Sequence, residues 1–193
     1  MLGSGLYDAK HYEDAVSVQE AELSMKRRIG DSAGNLLVVQ ANLAVTYHRL
    51  KKYEQALSLK LDVYSGMLRL HGEEHHQTLG AALNYANTLL SLRRFEEAKT
   101  LLRKTIPVAR RVLGENNDMT LKMPWHYARA LYEDTGATLD DLREAVTTLE
   151  DAEPTARRVL GGAHPLTTQI EVHLRFARAA LRARETPPPS ESV

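Results

Sequence analysis

Residues 94–115 read RFEEAKTLLRKTIPVARRVLGE, and this stretch decides the fold. It opens on an aromatic, Phe95, with Ala98 three residues on. It closes on Gly114, behind an apolar and basic run. The same anchors recur along the chain. Tyr12 with Ala15 and Tyr53 with Ala56 precede Phe95 with Ala98, at steps of 41 and 42. The glycines Gly30, Gly72, Gly114 and Gly161 follow at steps of 42, 42 and 47, and Ala44, Ala86 and Ala128 are 42 apart. The longer unit carries about five extra residues, Ala137 to Asp141, and there Leu142 stands in for the aromatic ahead of Ala145. Independent anchors that drift together and absorb one insertion together mark an internal repeat.

Each unit reads as two helices. Leu36, Val39, Leu43, Tyr47 and Leu50 recur at helical spacing, and Ala56, Leu57, Leu61, Val63 and Leu68 do the same after them. Gly72 tolerates a left-handed C-cap and ends the second helix. The short Lys51-Lys52 and Arg93-Arg94 links suit tight antiparallel turns, and alanines at 15, 56, 98 and 145 let paired helices approach closely. The pattern predicts helices at 12–29, 33–50, 53–71, 75–92, 95–113, 117–135, 139–160 and 165–184. A single pair cannot bury its own apolar stripe, so the units must stack. The fold class is all-α, a right-handed α-solenoid of antiparallel helix pairs.

Composition narrows the function. The chain has 193 residues, of which 25 are Lys or Arg and 25 are Asp or Glu, so its net charge is zero. A chain without net positive charge lacks the field of a nucleic-acid-coating protein. No run approaches the roughly 18 apolar residues of a membrane helix, and the N-terminus shows no signal-peptide pattern. There are no cysteines, which removes disulfides, thiolate metal sites and a thiol nucleophile. These features suit a reducing compartment, and the expectation is a cytoplasmic chain with no nucleic-acid or membrane partner.

The units resemble tetratricopeptide repeats of the 42-residue kind found in kinesin light chains. Leu83-Asn84-Tyr85-Ala86, Arg94-Phe95-Glu96-Glu97-Ala98 and Ala109-Arg110-Arg111-Val112-Leu113-Gly114-Glu115 carry the resemblance, with Leu160-Gly161-Gly162-Ala163-His164-Pro165-Leu166-Thr167 close to the family's Leu-Gly-x-x-His-Pro-x-Thr. It covers about residues 6–180 and is specific for the repeat class. It implies a repeat domain over 1–184, with a partial unit at 1–30, full units at 31–72, 73–114 and 115–161, and a partial capping helix at 162–184. Residues 1–10 then read as the tail of a first helix, so the chain opens inside a unit. Residues 185–193 read as a disordered tail, since TPPPSESV offers nothing to pack. The heptad segment by which kinesin light chains join the motor's heavy chain is absent from this sequence.

In such solenoids the first helix of each pair lines the concave groove. Positions i, i+4, i+7 and i+11 share one face. They are Val38, Asn42, Val45 and Arg49 in one unit, then Gly80, Asn84, Asn87 and Ser91. Lys122, His126, Arg129 and Glu133 follow, and lastly Gln169, His173, Phe176 and Ala180. Asn42 and Asn84 fall where related repeats use an Asn to hold a peptide backbone or its carboxylate. An amide both donates and accepts, so it holds an extended peptide whatever that peptide's side chains are. The expected peptide-binding set is Asn42, Val45, Arg49, Asn84, Asn87, Ser91, Lys122, His126 and Arg129. Arg49, Lys122 and Arg129 favour an acidic peptide. In the third set His126 replaces the Asn, behind Pro124 and Trp125. Pro124 predicts a kink or a late helix start, and Trp125 is either a groove anchor or packing between units. Pro107 and Pro154 occupy matched places in two second helices and predict a matched bend.

Catalytic readings find no support. His71, His75 and His76 straddle Gly72 and do not match a zinc-binding His-Glu-x-x-His helix. Phosphate loops, dinucleotide loops and nucleophile elbows are absent from the sequence. No metal or cofactor is expected, and the chain reads as a non-enzymatic scaffold. Its partner would be an extended acidic peptide or a motor or scaffold protein, and the resemblance makes cargo adaptation on a microtubule motor one setting. The alternative is a fragment of a larger protein, in which the repeats sense for or inhibit a catalytic or nucleotide-binding domain.

Overall fold

The structure, a computed structural model, describes residues 11–186. Eight helices follow one another among them. They are α1 (Tyr12–Arg28), α2 (Ala33–Arg49), α3 (Tyr53–His71), α4 (His76–Ser91), α5 (Phe95–Leu113), α6 (Asp118–Tyr132), α7 (Leu139–Leu160) and α8 (Pro165–Glu185). There is no strand among the described residues. The chain divides between Leu92 and Arg93 into two compact units. Residues 1–10, expected as the tail of a helix, and 187–193, expected as a tail, lie outside the described residues. Glu185, expected in that tail, ends α8.

In the first unit each helix packs on the next, α1 on α2, α2 on α3 and α3 on α4. Two apolar clusters hold it. Val16 and Leu23 of α1 meet Val39 and Leu43 of α2, and Leu37 meets Val63, Met67 and Ala81. In the second unit α5 packs on α6, α6 on α7 and α7 on α8, and α6 also touches α8. Leu102, Leu131, Leu149 and Ile170 are among its fully buried side chains. The repeat alanines at 15, 44, 56, 86, 98, 128 and 145 are all 0% exposed. That is why they recur, because a larger side chain would push neighbouring backbones apart.

The helix ends follow from local chemistry. Ser32 Oγ accepts from Asn35 N at 3.2 Å, and Asn117 Oδ1 accepts from Met119 N at 2.9 Å. His75 Nδ1 accepts from Gln77 N at 3.3 Å, and His164 Nδ1 accepts from Leu166 N at 3.2 Å. The loop histidines are therefore N-caps, satisfying a donor that the helix leaves unpaired. At the other end Gly72, Gly114 and Gly161 have φ of 80°, 81° and 89°, with ψ of 175°, 162° and 156°. This differs from the expected left-handed helical cap. It is the region beside it, with extended ψ, which is essentially closed to residues with a Cβ.

The longer unit differs in a definable way. The expected helix to residue 135 ends at Tyr132, because Gly136 N donates to Asp134 Oδ1 at 2.8 Å and turns the chain. Thr138 and Asp141 then form a capping box, which starts α7 one turn ahead of Leu142. The extra residues are thus shared between a turn and a helix start. Pro124 does not delay α6, which begins at Asp118. Pro107 and Pro154 both lie inside single helices, leaving the Arg103 and Glu150 carbonyls without their intrahelical donor.

Candidate peptide-binding site

In the first unit the expected face belongs to α2 and α4. Val38, Asn42, Arg49 and Asn84 are exposed, and Val45, Asn87 and Ser91 are partly so. The backbone beneath them is fully used. The carbonyls of Asn42, Asn84 and Asn87 accept from Thr46 Oγ1, Thr88 Oγ1 and Ser91 Oγ at 3.1, 3.3 and 3.1 Å. The carboxamides of Asn42 and Asn84 make no hydrogen bond among the described residues, so their donors and acceptors are offered outward. Neither α2 nor α4 contains an Asp or a Glu.

Under this face lies a polar chain that sequence reasoning missed. Lys60 of α3 is 5% exposed, and its Nζ donates to Thr88 Oγ1 at 2.7 Å. Thr88 Oγ1 lies 3.2 Å from His48 Nδ1 on α2. Burial, with the charges of Lys60 and Arg49, lowers the His48 pKa to about 4. Burial, with Arg49 nearby, lowers that of Lys60 to about 8. One unit earlier, Thr46 Oγ1 donates to buried Gln19 Oε1 at 2.8 Å. The signal was present in the repeat register, where positions 19, 60, 102 and 149 read Gln, Lys, Leu and Leu.

The second unit builds its face differently. His126, at the place of the two asparagines, is buried, and burial lowers its pKa to about 3. Trp125 packs against it at a tilt of 39°, with 4.4 Å between ring centroids. His173 of α8 meets Trp125 edge-on at 5.5 Å and Phe176 edge-on at 6.0 Å, and Tyr132 hydrogen-bonds His173 Nδ1. Phe176 is 56% exposed. The two expected cations are paired locally. Lys122 holds Asp118, and Arg129 forks onto Glu133 at 2.8 and 3.1 Å while lying 5.7 Å from the Trp125 ring. Charge on this face is largely neutralised, and aromatic surface takes its place.

Three clefts open elsewhere. One of about 460 Å³ lies between α1 and α3 over Leu43 and Tyr47, and one of about 180 Å³ between α5 and α7 over Pro124 and Tyr127. A third, of about 220 Å³, lies between the start of α2 and the end of α3. None of the expected site residues lines these three clefts. His71 and His75 stack at 4.4 Å, but His75 Nδ1 is engaged as a cap. No helix among the described residues is long and apolar enough to cross a membrane.

Helices joined by short turns, with a 42-residue recurrence of buried alanines and helix-ending glycines, define a helix-pair repeat protein. The family model for tetratricopeptide repeats matches residues 32–111. That stretch matches tetratricopeptide repeats, and the fold of the chain is similar to that of kinesin light chain-like repeat structures. A structure from Podosopora anserina, described as a kinesin light chain with nearly identical TPR-like repeats, is similar at 20% identity with a TM-score of 0.78, over 95% of this chain and 85% of that one. A variant of that protein gives 0.79 over the same shares. BtubC (BKLC) from P. vanneervenii is similar at 15% identity with a TM-score of 0.62, over 100% of this chain and 82% of that one. Identities of this size speak to fold alone. No curated protein sequence matches the chain.

Proposed function

We propose that this chain is a non-catalytic protein-interaction scaffold whose first-helix faces hold an extended peptide. The observation that carries the reading is the matched pair Asn42 and Asn84. They stand 42 residues apart, both exposed, with carboxamides unengaged among the described residues. A carboxamide that neither caps nor bridges is available to a peptide backbone. The repeat family supports a scaffold role. Kinesin light chain-like relatives make cargo adaptation one setting, with the cytoplasm as its compartment.

The acidic preference belongs to the first unit. Its face carries Arg49 and neither α2 nor α4 has an acid, whereas the second unit's face carries Glu133 beside Arg129, and Asp118 holds Lys122. The test is a pulldown comparing the wild type with Asn42→Ala plus Asn84→Ala. Loss of bound partners, with an unchanged circular dichroism melt, supports the reading. An unchanged partner set overturns it.

A further inference from the structure

Lys60 is a buried cation that the fold does not require. Its repeat equivalents are Gln19, Leu102 and Leu149, all buried and all neutral. Gln19 makes the same link to the next first helix that Lys60 makes, and the two leucines fill the place with apolar packing. An ammonium taken out of water is costly unless a carboxylate meets it. None does so among the described residues, and Thr88 Oγ1 takes one of its three N–H donors.

The surroundings offer no negative charge, and Arg49 adds a positive one. Helix α3 packs on α2 and α4. From α2 it faces His48 and Arg49, and α4 brings Thr88. No acid exists on either helix. The acids of α3 itself, Glu54 and Asp62, are exposed, and a residue two positions away projects from a different face of a helix. Arg49 is exposed at the rim of the face that carries Asn42 and Asn84.

We propose that Lys60, with His48 and Arg49, forms an anion site in the first unit that takes a carboxylate from an acidic side chain of the bound peptide. This rests on the peptide-binding reading and gives it a charge specificity at one place. The carboxylate supplies the missing counter-ion, so binding favours the protonated amine and weakens as pH rises past the point where free Lys60 loses its proton.

The experiment titrates hexaglutamate and hexaglutamine peptides into the full chain at pH 7 and pH 9. Lys60→Leu and Lys60→Gln serve as variants, since the repeat itself accommodates both residues at this position. The wild type should bind hexaglutamate about tenfold tighter than hexaglutamine at pH 7, with most of that preference gone at pH 9. Both variants should bind hexaglutamine as the wild type does and lose the preference. If the wild type binds both peptides equally, the anion site is wrong and the peptide reading stands. If it binds neither, the peptide reading fails and the site is judged on acetate alone. The Lys60 ε-methylene resonance, assigned by its loss in Lys60→Leu, should then titrate at higher pH in acetate than in chloride of equal ionic strength. An unmoved titration overturns the site.

Discussion

The indole of Trp125 packs at a tilt against the imidazole of His126, and neither Trp125 Nε1 nor His126 Nδ1 has a hydrogen-bond partner among the described residues. The sequence pattern puts position 126 in register with Asn42 and Asn84, yet those two side chains face solvent and this one does not. The difference comes from α8. His173 and Phe176 extend the aromatic contact started by Trp125, and the cluster covers the imidazole.

Burial of His126 has a signed consequence for acid stability. Its pKa is lowered to about 3 in the folded chain, chiefly by desolvation, against 6.5 ordinarily. Between those values the unfolded chain binds a proton that the folded chain does not. Stability from this group is therefore complete above pH 6.5 and falls as pH drops through the window toward 3, by up to about 5 kcal/mol. His126→Asn, which restores the residue found at 42 and 84, should flatten the loss. The slope does not vanish, because His48 titrates in the same direction with a pKa of about 4. Urea midpoints from pH 7 to pH 4 check this, and parallel curves for the two proteins would contradict it.

Much of the architecture was legible because the repeat over-determines it. Tyr53 and Gly72 bracket one helix and Ala56 marks its close-packed face, and the same marks return at Phe95, Gly114 and Ala98. Exposure of Asn42 and Asn84 was legible for the same reason, since a face at i, i+4 and i+7 is a property of the helix alone. The state of His126 was not, because it depends on rings of α8 brought across by folding. The pairing of Lys122 with Asp118 and of Arg129 with Glu133 follows i,i+4 spacing and could have been read. The role of Lys60 required comparing one buried position across all units, which a search for exposed groove residues passes over.

Lys60 also makes a prediction about alkaline stability. Its pKa is lowered to about 8 in the folded chain, first by desolvation and then by Arg49, against 10.5 ordinarily. Between those values the unfolded chain keeps a proton that the folded chain has lost. Stability from this group therefore rises with pH from 8 to 10.5, and the full penalty of the buried charge, on the order of 3 kcal/mol, applies below pH 8. Lys60→Leu should be more stable than wild type at pH 7, with the gap narrowing steadily toward pH 10. A gap independent of pH would show that packing, not charge, separates the two.

Two turns carry backbone strain that can be relieved. Lys51 and Arg93, 42 residues apart, have φ of 59° and 58° in the links after α2 and α4. The Lys52 N–H reaches back to the Tyr47 carbonyl at 2.9 Å, so the turn closes α2 despite the Cβ at 51. A left-handed conformation costs a non-glycine residue about 1–2 kcal/mol. Glycine loses more chain entropy on folding, which offsets part of the gain. Lys51→Gly should therefore raise the thermal midpoint, by a net stabilisation below about 1 kcal/mol. A lowered midpoint would mean that the Lys51 side chain contributes more than the geometry shows.

Gly66 sits inside α3, where a glycine ordinarily weakens a helix, and its reason is Leu37. A Cβ built at 66 would stand 2.6 and 2.8 Å from the two Leu37 methyl carbons. Leu37 is packed against Val63, Met67 and Ala81 on one side and borders the cleft between α2 and α3 on the other, so it can retreat only by giving up part of that packing. Helix propensity favours Gly66→Ala by about 1 kcal/mol, but overpacking of a buried leucine costs about 1–3 kcal/mol. The clash should win, and Gly66→Ala should lower stability. Leu37→Ala alone should cost about 2–5 kcal/mol through the cavity it leaves. In the double variant the new methyl fills part of that cavity while gaining the helix propensity. The two changes together should therefore cost less than the sum of their separate effects, by more than about 0.5 kcal/mol in a double-mutant cycle. Additive losses would show that Leu37 moves aside freely and that the glycine is there for another reason.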